Sequence, residues 1–112
     1  MDVLFCIVND PDRLHDVVAA LVEAGVPGAT VIETQGIGKI LSKDIPIFAG
    51  FRHLLAGAQP FNYTIMAVVD DPEVVDDAVD LLRDVLDDSV QKGVIFTLPV
   101  SRFINLSQPD SD

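Results

Sequence analysis

Cysteine, aromatic residues and positive charge are scarce in this sequence. Its 112 residues include one cysteine, Cys6, no tryptophan and one tyrosine, and aromatic residues make up 6% of the chain. A single cysteine excludes an internal disulfide, and its place within an apolar run is typical of a protein from the reducing cytoplasm. Only 7 Lys and Arg residues oppose 18 Asp and Glu residues, so the formal net charge is -11. This deficit of cations argues against binding to nucleic acid or to anionic membranes, because both need clustered Lys and Arg.

Long apolar segments are lacking as well. The N-terminal apolar run at residues 3–8 is too short for a signal peptide or a membrane span. The sequence therefore predicts a cytoplasmic protein without membrane insertion. Hydrophobic residues nevertheless make up 49% of the chain, which excludes intrinsic disorder. We expect a single domain over residues 1–112, with a frayed polar tail at about 107–112.

Apolar periodicity predicts the element order strand, helix, strand, strand, helix, strand. The predicted strands cover residues 3–8, 29–35, 63–69 and 94–100, and the predicted helices cover about 11–24 and 72–89. Asp10 is suited to the N-cap of the first helix, and Gly25 is suited to its C-terminal end. The residues of this helix that recur at helical spacing, and are expected to be buried, are Leu14, Val17, Val18, Leu21 and Val22.

The element order is the split βαβ arrangement of a ferredoxin-like α+β fold. Right-handed crossovers place both helices on one face of a four-stranded antiparallel sheet. Pro99 indicates that the fourth strand lies at an edge or contains a bulge. The first, third and fourth strands are apolar on both faces, so the sheet face without helices would be a large exposed patch on a monomer. We therefore predict a closed homo-oligomer that buries this face.

Short motifs in the sequence favour binding over catalysis. The turn at residues 36–39 (GIGK) resembles a phosphate cradle, although a glycine-permitted turn at a strand end is the commoner explanation. The Asp-rich second helix lacks the spacing of an EF-hand, so a solvated helix face is its ordinary interpretation. Neither a Ser-His-Asp set nor an HExxH or CxxC motif occurs, and we expect no enzymatic activity.

The stretch from residue 37 to residue 60 is long for a connection between antiparallel strands, and such loops are usually functional or disordered. Its apolar residues fit a short amphipathic helix, and it holds three of the seven cations. Either it docks on a partner protein in a helix-in-groove mode, or it packs as a flap on its own oligomer. The residues that would bind a partner are Ile47, Phe48, Phe51, Arg52, Leu54 and Leu55.

Two motifs, in the correct order, resemble the PII signal-transduction (nitrogen regulatory) family. Residues 28–31 (GATV) followed by 36–39 (GIGK) are similar to the family's second strand and to the base of its mobile T-loop. Residues 93–96 (GxIF) followed by 99–102 (PVxR) are similar to its last strand. Together with the element order, the resemblance spans about residues 2–106.

The resemblance implies a homotrimer that binds adenine nucleotides, ATP or ADP, in clefts between subunits. Its long loop would carry the nucleotide state to a regulated enzyme or transporter. The matching ligand residues are Thr30, Gly36, Gly38, Lys39, Gly93 and Arg102. Lys39 and Arg102 would compensate the phosphate charge.

The chain departs from the family pattern at positions that carry cations. Val94 stands where a basic residue is expected, Asn105 lies near the place of a second one, and a lysine that leads into the third strand is replaced around Phe61. A charged hydrogen bond to phosphate is worth about 1.5–3 kcal/mol, so the loss of two or more is expected to abolish tight ATP binding unless Lys92 compensates. Two alternatives stay open. One is a ligand-independent interaction module that uses the apolar loop, and the other is a metal-responsive trimer like the divalent-cation-tolerance (CutA-like) proteins.

Overall fold

A computed structural model of the chain describes residues 1–36, 62–87 and 93–107. These residues form, in order, β1 (Asp2–Val8), a 3-10 turn (Pro11–Arg13), α1 (Leu14–Ala24), β2 (Thr30–Thr34), β3 (Asn62–Val69), α2 (Pro72–Leu86) and β4 (Val94–Pro99). The predicted order of elements is confirmed. The predicted loop at 37–60, with Gly38, Lys39 and its partner-binding residues, lies outside the described residues, as does the predicted tail beyond residue 107.

The four strands form one antiparallel sheet in the order β2-β3-β1-β4. β1 is central, since Cys6 lies opposite Ile65 of β3 and opposite Ile95 of β4. β4 lies at an edge of this sheet, as the sequence predicted. Pro99 has no N–H to donate, and an edge strand tolerates this because one of its sides has no neighbouring strand to accept a hydrogen bond. This strand order, with both helices on one face, is a ferredoxin-like α+β fold.

Both helical segments begin at an aspartate that is followed by a proline. Asp10 Oδ1 accepts a hydrogen bond from the Asp12 N–H at 3.1 Å, and Asp71 Oδ1 accepts one from the Glu73 N–H at 2.9 Å. Proline suits the next position because the first N–H groups of a helix have no partner within the helix. α1 ends at Gly25, whose φ of 91° is favourable only for glycine.

The hydrophobic core lies between the two helices and the sheet face that they cover. The buried residues are Leu4, Cys6, Val8, Val17, Ala20, Leu21, Ile65, Ala67, Val69, Val75, Ala78, Leu82 and Leu86. The predicted stripe on α1 is wrong at two positions, because Val18 is 40% exposed and Val22 is 70% exposed. Ala20 is buried instead, since α1 packs beside α2 as well as on the sheet.

The opposite face of the sheet is apolar and uncovered in the single chain. Side chains alternate along β1, so the residues between the buried ones, Phe5 among them, point to this second face. Phe5 lies opposite Phe96 of β4, and the two rings stack with their centroids 4.8 Å apart. Val94, Phe96 and Leu98 on β4 are 53%, 40% and 50% exposed. This is the surface that the predicted oligomer would bury.

Candidate functional site

The predicted ligand residues fall at two opposite ends of the sheet. At one end, called the loop end, β1 and β2 finish and β3 and β4 begin, and Gly36 and Gly93 lie here. At the other, called the tail end, the chain enters β2 at Thr30 and leaves β4 toward Arg102. The five residues of β2 alone span about 13 Å at the rise of a β-strand. One chain therefore does not bring the described members of the set into one pocket.

A chain of neutral polar side chains occupies the loop end. The Thr34 Oγ1 contacts both oxygens of Asn62 and lies 3.1 Å from the Thr64 Oγ1. Asn62 Nδ2 in turn donates to Asn9 Oδ1 at 3.2 Å. A hydroxyl has one proton to donate, so the bonds run in one direction, from Thr64 to Thr34 to Asn62 to Asn9. This network ties the ends of β1 and β2 to the start of β3, at the point where the long loop leaves and returns.

The two glycines at the loop end differ in how much space surrounds them. A Cβ atom added to Gly36 would find only Asn62 Nδ2, at 3.8 Å. A Cβ atom added to Gly93 would lie 1.9 Å from the Ile7 carbonyl oxygen. Gly93 is therefore required by the close approach of β1 and the start of β4, whatever it contributes to a ligand.

An open cavity of about 450 Å³ lies at the tail end. It runs over the uncovered sheet face and is bounded on one side by the segment that follows β4. Its side-chain lining includes Val3, Thr30, Met66, Val68, Phe103 and Asn105. Arg102 is exposed and does not line this cavity. Among the predicted ligand residues that the structure describes, Thr30 lines this cavity of about 450 Å³.

Sequence reasoning missed most of this cavity. The sequence pattern predicts only that Met66 and Val68 lie in an apolar strand, and it does not distinguish Phe103 as a binding residue. Two signals were available. One was the second apolar face of the third strand, and the other was the apolar composition of the segment after the fourth strand, where Phe103, Ile104 and Leu106 are 51%, 69% and 94% exposed.

Cys6 is chemically quiet where the structure places it. It is fully buried between the sheet and the helices, and this burial raises the pKa of its thiol to about 11. At neutral pH the group is a protonated thiol, which is a poor nucleophile. It packs as a small apolar side chain.

In the part of the chain that the structure describes, no group of three or more His, Cys, Asp and Glu side chains is placed to hold a metal ion. Neither of the helices described combines the length and the hydrophobicity needed to traverse a bilayer. A groove of about 350 Å³ between α1 and α2 carries Asp16, Glu23 and Asp84, and Arg13 forms an ion pair with Asp16 at 3.7 Å.

Comparison with known families decides the identity of this fold. A model of the nitrogen regulatory protein P-II family matches residues 3–109, nearly the whole chain. The chain belongs to the P-II family. P-II proteins are regulatory signalling proteins, so the resemblance found in the two motifs is confirmed and the coarse function follows. A comparison with curated proteins finds no match for this chain.

Proposed function

We propose that this P-II protein is a homotrimeric sensor in the cytoplasm. It binds a small anionic ligand, with an adenine nucleotide as the first candidate, between subunits. Ligand binding then biases the 37–60 loop, which regulates a partner enzyme or transporter. The size of any such effect is limited by the difference in ligand affinity between the two loop states.

The separation of the predicted ligand residues is the observation that carries this proposal. Gly36 and Gly93 lie at the loop end of the sheet, whereas Thr30 and the segment with Arg102 lie at the tail end. A site that uses both groups needs the loop end of one chain beside the tail end of another. A closed ring of copies supplies this arrangement at every interface.

The uncovered sheet face supplies the means of assembly. Its exposed apolar residues on β4 and the stacked Phe5–Phe96 pair form a patch of the kind that soluble monomers rarely leave in water. Packing this face against other copies keeps the acidic helices outside, where their like charges stay solvated. The buried, un-ionised Cys6 fits a reducing compartment.

Mixed oligomers test whether the ligand site is shared between copies. Lys39→Ala and Arg102→Ala subunits are each expected to lose nucleotide binding when they are the only subunit present. In a co-expressed 1:1 mixture, a shared site regains both cations at about one quarter of the interfaces, because ring interfaces are heterologous. Calorimetry that finds no recovered binding sites in the mixture, when the wild type binds, contradicts a shared site.

The oligomer itself is tested by a charge on the uncovered face. Phe96→Glu places a carboxylate on the predicted interface and is expected to yield monomers in sedimentation equilibrium. The matched control is Val22→Glu, because Val22 is a 70% exposed valine on the helical side of the molecule. Trimers that persist in Phe96→Glu would show that another surface holds the copies together.

Ligand-independent docking is the second candidate, and the neutral polar network at the loop end favours it. None of the four side chains in this network, those of Asn9, Thr34, Asn62 and Thr64, carries a charge. The full chain and a variant without residues 42–57 are compared in pull-downs with and without ATP and ADP. Capture that needs the loop but not a nucleotide supports this candidate, whereas capture that changes with the nucleotide supports the sensor.

A further inference from the structure

We infer that the groove between α1 and α2 is a docking site for a basic amphipathic helix of a partner protein. The inference goes beyond the proposed function, because it needs neither a nucleotide nor the 37–60 loop. The groove lies on the helical side of the molecule. It therefore stays at the surface when the uncovered sheet face is buried between copies.

The floor of the groove consists of small or partly buried apolar side chains. Ala20 of α1 is buried, and Leu81 and Val85 of α2 are half-buried against the core. Ala19 also lines the groove and is exposed. Alanine side chains let another helix come close, while Leu81 and Val85 offer apolar surface that its side chains can cover. The floor is therefore suited to the apolar face of a helix.

Both walls of the groove have the spacing that a docked helix requires. The lining positions on α1 are i, i+3, i+4 and i+7 counted from Asp16, and those on α2 are i, i+3 and i+4 counted from Leu81. At the helical rise of about 1.5 Å per residue, the distance from Asp16 to Glu23 is about 10 Å, or two turns. A helix that binds in a groove uses anchors at i, i+3, i+4 and i+7, which cover the same length.

Charge on the two helices selects a positively charged partner. α1 has two carboxylates and no Lys or Arg, whereas α2 has five carboxylates and Arg83, which does not line the groove. Arg13 pairs with Asp16 at 3.7 Å, so Glu23 on one wall and Asp84 on the other carry the net negative charge of the groove. Acidic walls beside an apolar floor attract lysines and arginines that flank the apolar face of a partner helix, and they repel an acidic helix.

The test measures the binding of a synthetic peptide of about 18 residues, long enough to form a helix, to the full chain by fluorescence anisotropy. In this probe, leucines and alanines form one face of the helix and lysines flank that face. A control peptide has the same composition in an order that forms no apolar face. We expect the probe to bind at least about tenfold more tightly than the control peptide, and added salt to weaken its binding.

Two charge variants locate the binding. Glu23→Gln combined with Asp84→Asn removes one carboxylate from each wall and should weaken the probe about tenfold. The matched control combines Asp76→Asn with Asp80→Asn. It removes the same charge from exposed positions of α2 outside the lining and should change the affinity by less than about twofold.

Two substitutions of equal size test the shape of the groove. Ala19→Phe places a ring in the groove and should weaken the probe about tenfold, because the partner helix can no longer reach the floor. Val22→Phe places the same ring on α1 at a position that is 70% exposed and lies outside the lining, and it should leave the affinity unchanged. Both positions are on the surface of the helix, so both variants should fold.

The outcomes separate the groove from a general attraction to acidic helices. Equal losses in the two charge variants overturn the inference, because the whole acidic surface then binds the probe. A probe that binds no more tightly than the control peptide, or one whose affinity Ala19→Phe leaves unchanged, overturns it as well. Binding that only the groove variants weaken supports it. None of these results changes the proposed sensor, because the assay contains no nucleotide.

Discussion

Gly93→Ala is expected to destabilise the folded chain by about 3 kcal/mol, at the upper end of the range for overpacked sites. The added Cβ would lie 1.9 Å from the Ile7 carbonyl oxygen and 3.0 Å from the Ile7 carbonyl carbon. Both are backbone atoms of the central strand β1, so no side chain can turn away to make room. Real Cβ atoms essentially never approach closer than 3.0 Å, so the two strands must separate by about 1.1 Å at this point.

That separation falls beside the first pair of the β1–β4 ladder, in which Ile7 lies opposite Val94. Weakening one or two backbone hydrogen bonds there costs about 0.5–1.5 kcal/mol each, and the steric strain adds to this cost. For a domain of this size a loss of 3 kcal/mol lowers the melting temperature by about 10–20 °C.

Urea denaturation at a fixed protein concentration measures the effect, since the stability of an oligomer depends on concentration. Gly28→Ala is the matched control, because an added Cβ there has nothing within 4 Å. We expect it to change the free energy of unfolding by less than about 0.5 kcal/mol. A Gly93→Ala protein as stable as the wild type would refute the steric argument. If such a protein also lost ligand binding, Gly93 would be a ligand residue alone.

Three further substitutions test local features of the fold and the site. Asp71→Ala removes the cap on the Glu73 N–H and should cost about 1 kcal/mol in urea denaturation, whereas Asp70→Ala, which removes no described cap bond, should cost little. The raised pKa of Cys6, about 11 against 9.0, keeps the folded thiol protonated while the unfolded thiol ionises, so stability should fall from pH 9 to pH 11. The fall is steepest near pH 10, at about 1 kcal/mol per pH unit, and Cys6→Val should lack it when urea denaturation of both proteins is compared at pH 8 and pH 10.5. Thr34→Val interrupts the polar network, and a loss of about 1 kcal/mol is expected; an unchanged midpoint would show that the network does not hold the strand ends together.

The strand and helix order was predictable because each element carries its own signal. β1 is a continuous apolar run, α2 alternates aspartates with a buried stripe, and prolines and glycines mark the ends. The core face of α1 was less predictable, because its apolar residues occupy a wider arc of the helix surface than the part that packs against the rest of the protein. Val22 is exposed and Ala20 is buried, and this choice depends on where α2 packs.

The candidate site was predictable only as a set of residue types. Gly93 was identified from a motif, but the reason that the structure gives for it is the approach of the β1 backbone, which no local pattern reveals. The cavity that includes Thr30 draws on Met66 and Phe103, which are far apart in the chain. Strand pairing and the path of the segment after β4 bring them together, and neither can be inferred from spacing.

The sequence by itself determined the class of fold, the family and the acidity of the helices, because periodicity, ordered motifs and charge are properties of the chain that need no neighbours. Tertiary structure alone decided that the ligand residues divide between the two ends of the sheet. It also decided that the cavity at the tail end is lined by neutral groups. The physical reason is that the extended backbone of β2 holds its two ends about 13 Å apart, while antiparallel pairing brings the start of β4 to one end of the sheet and the end of β4 to the other. Residues that belong to one motif set therefore face different surroundings.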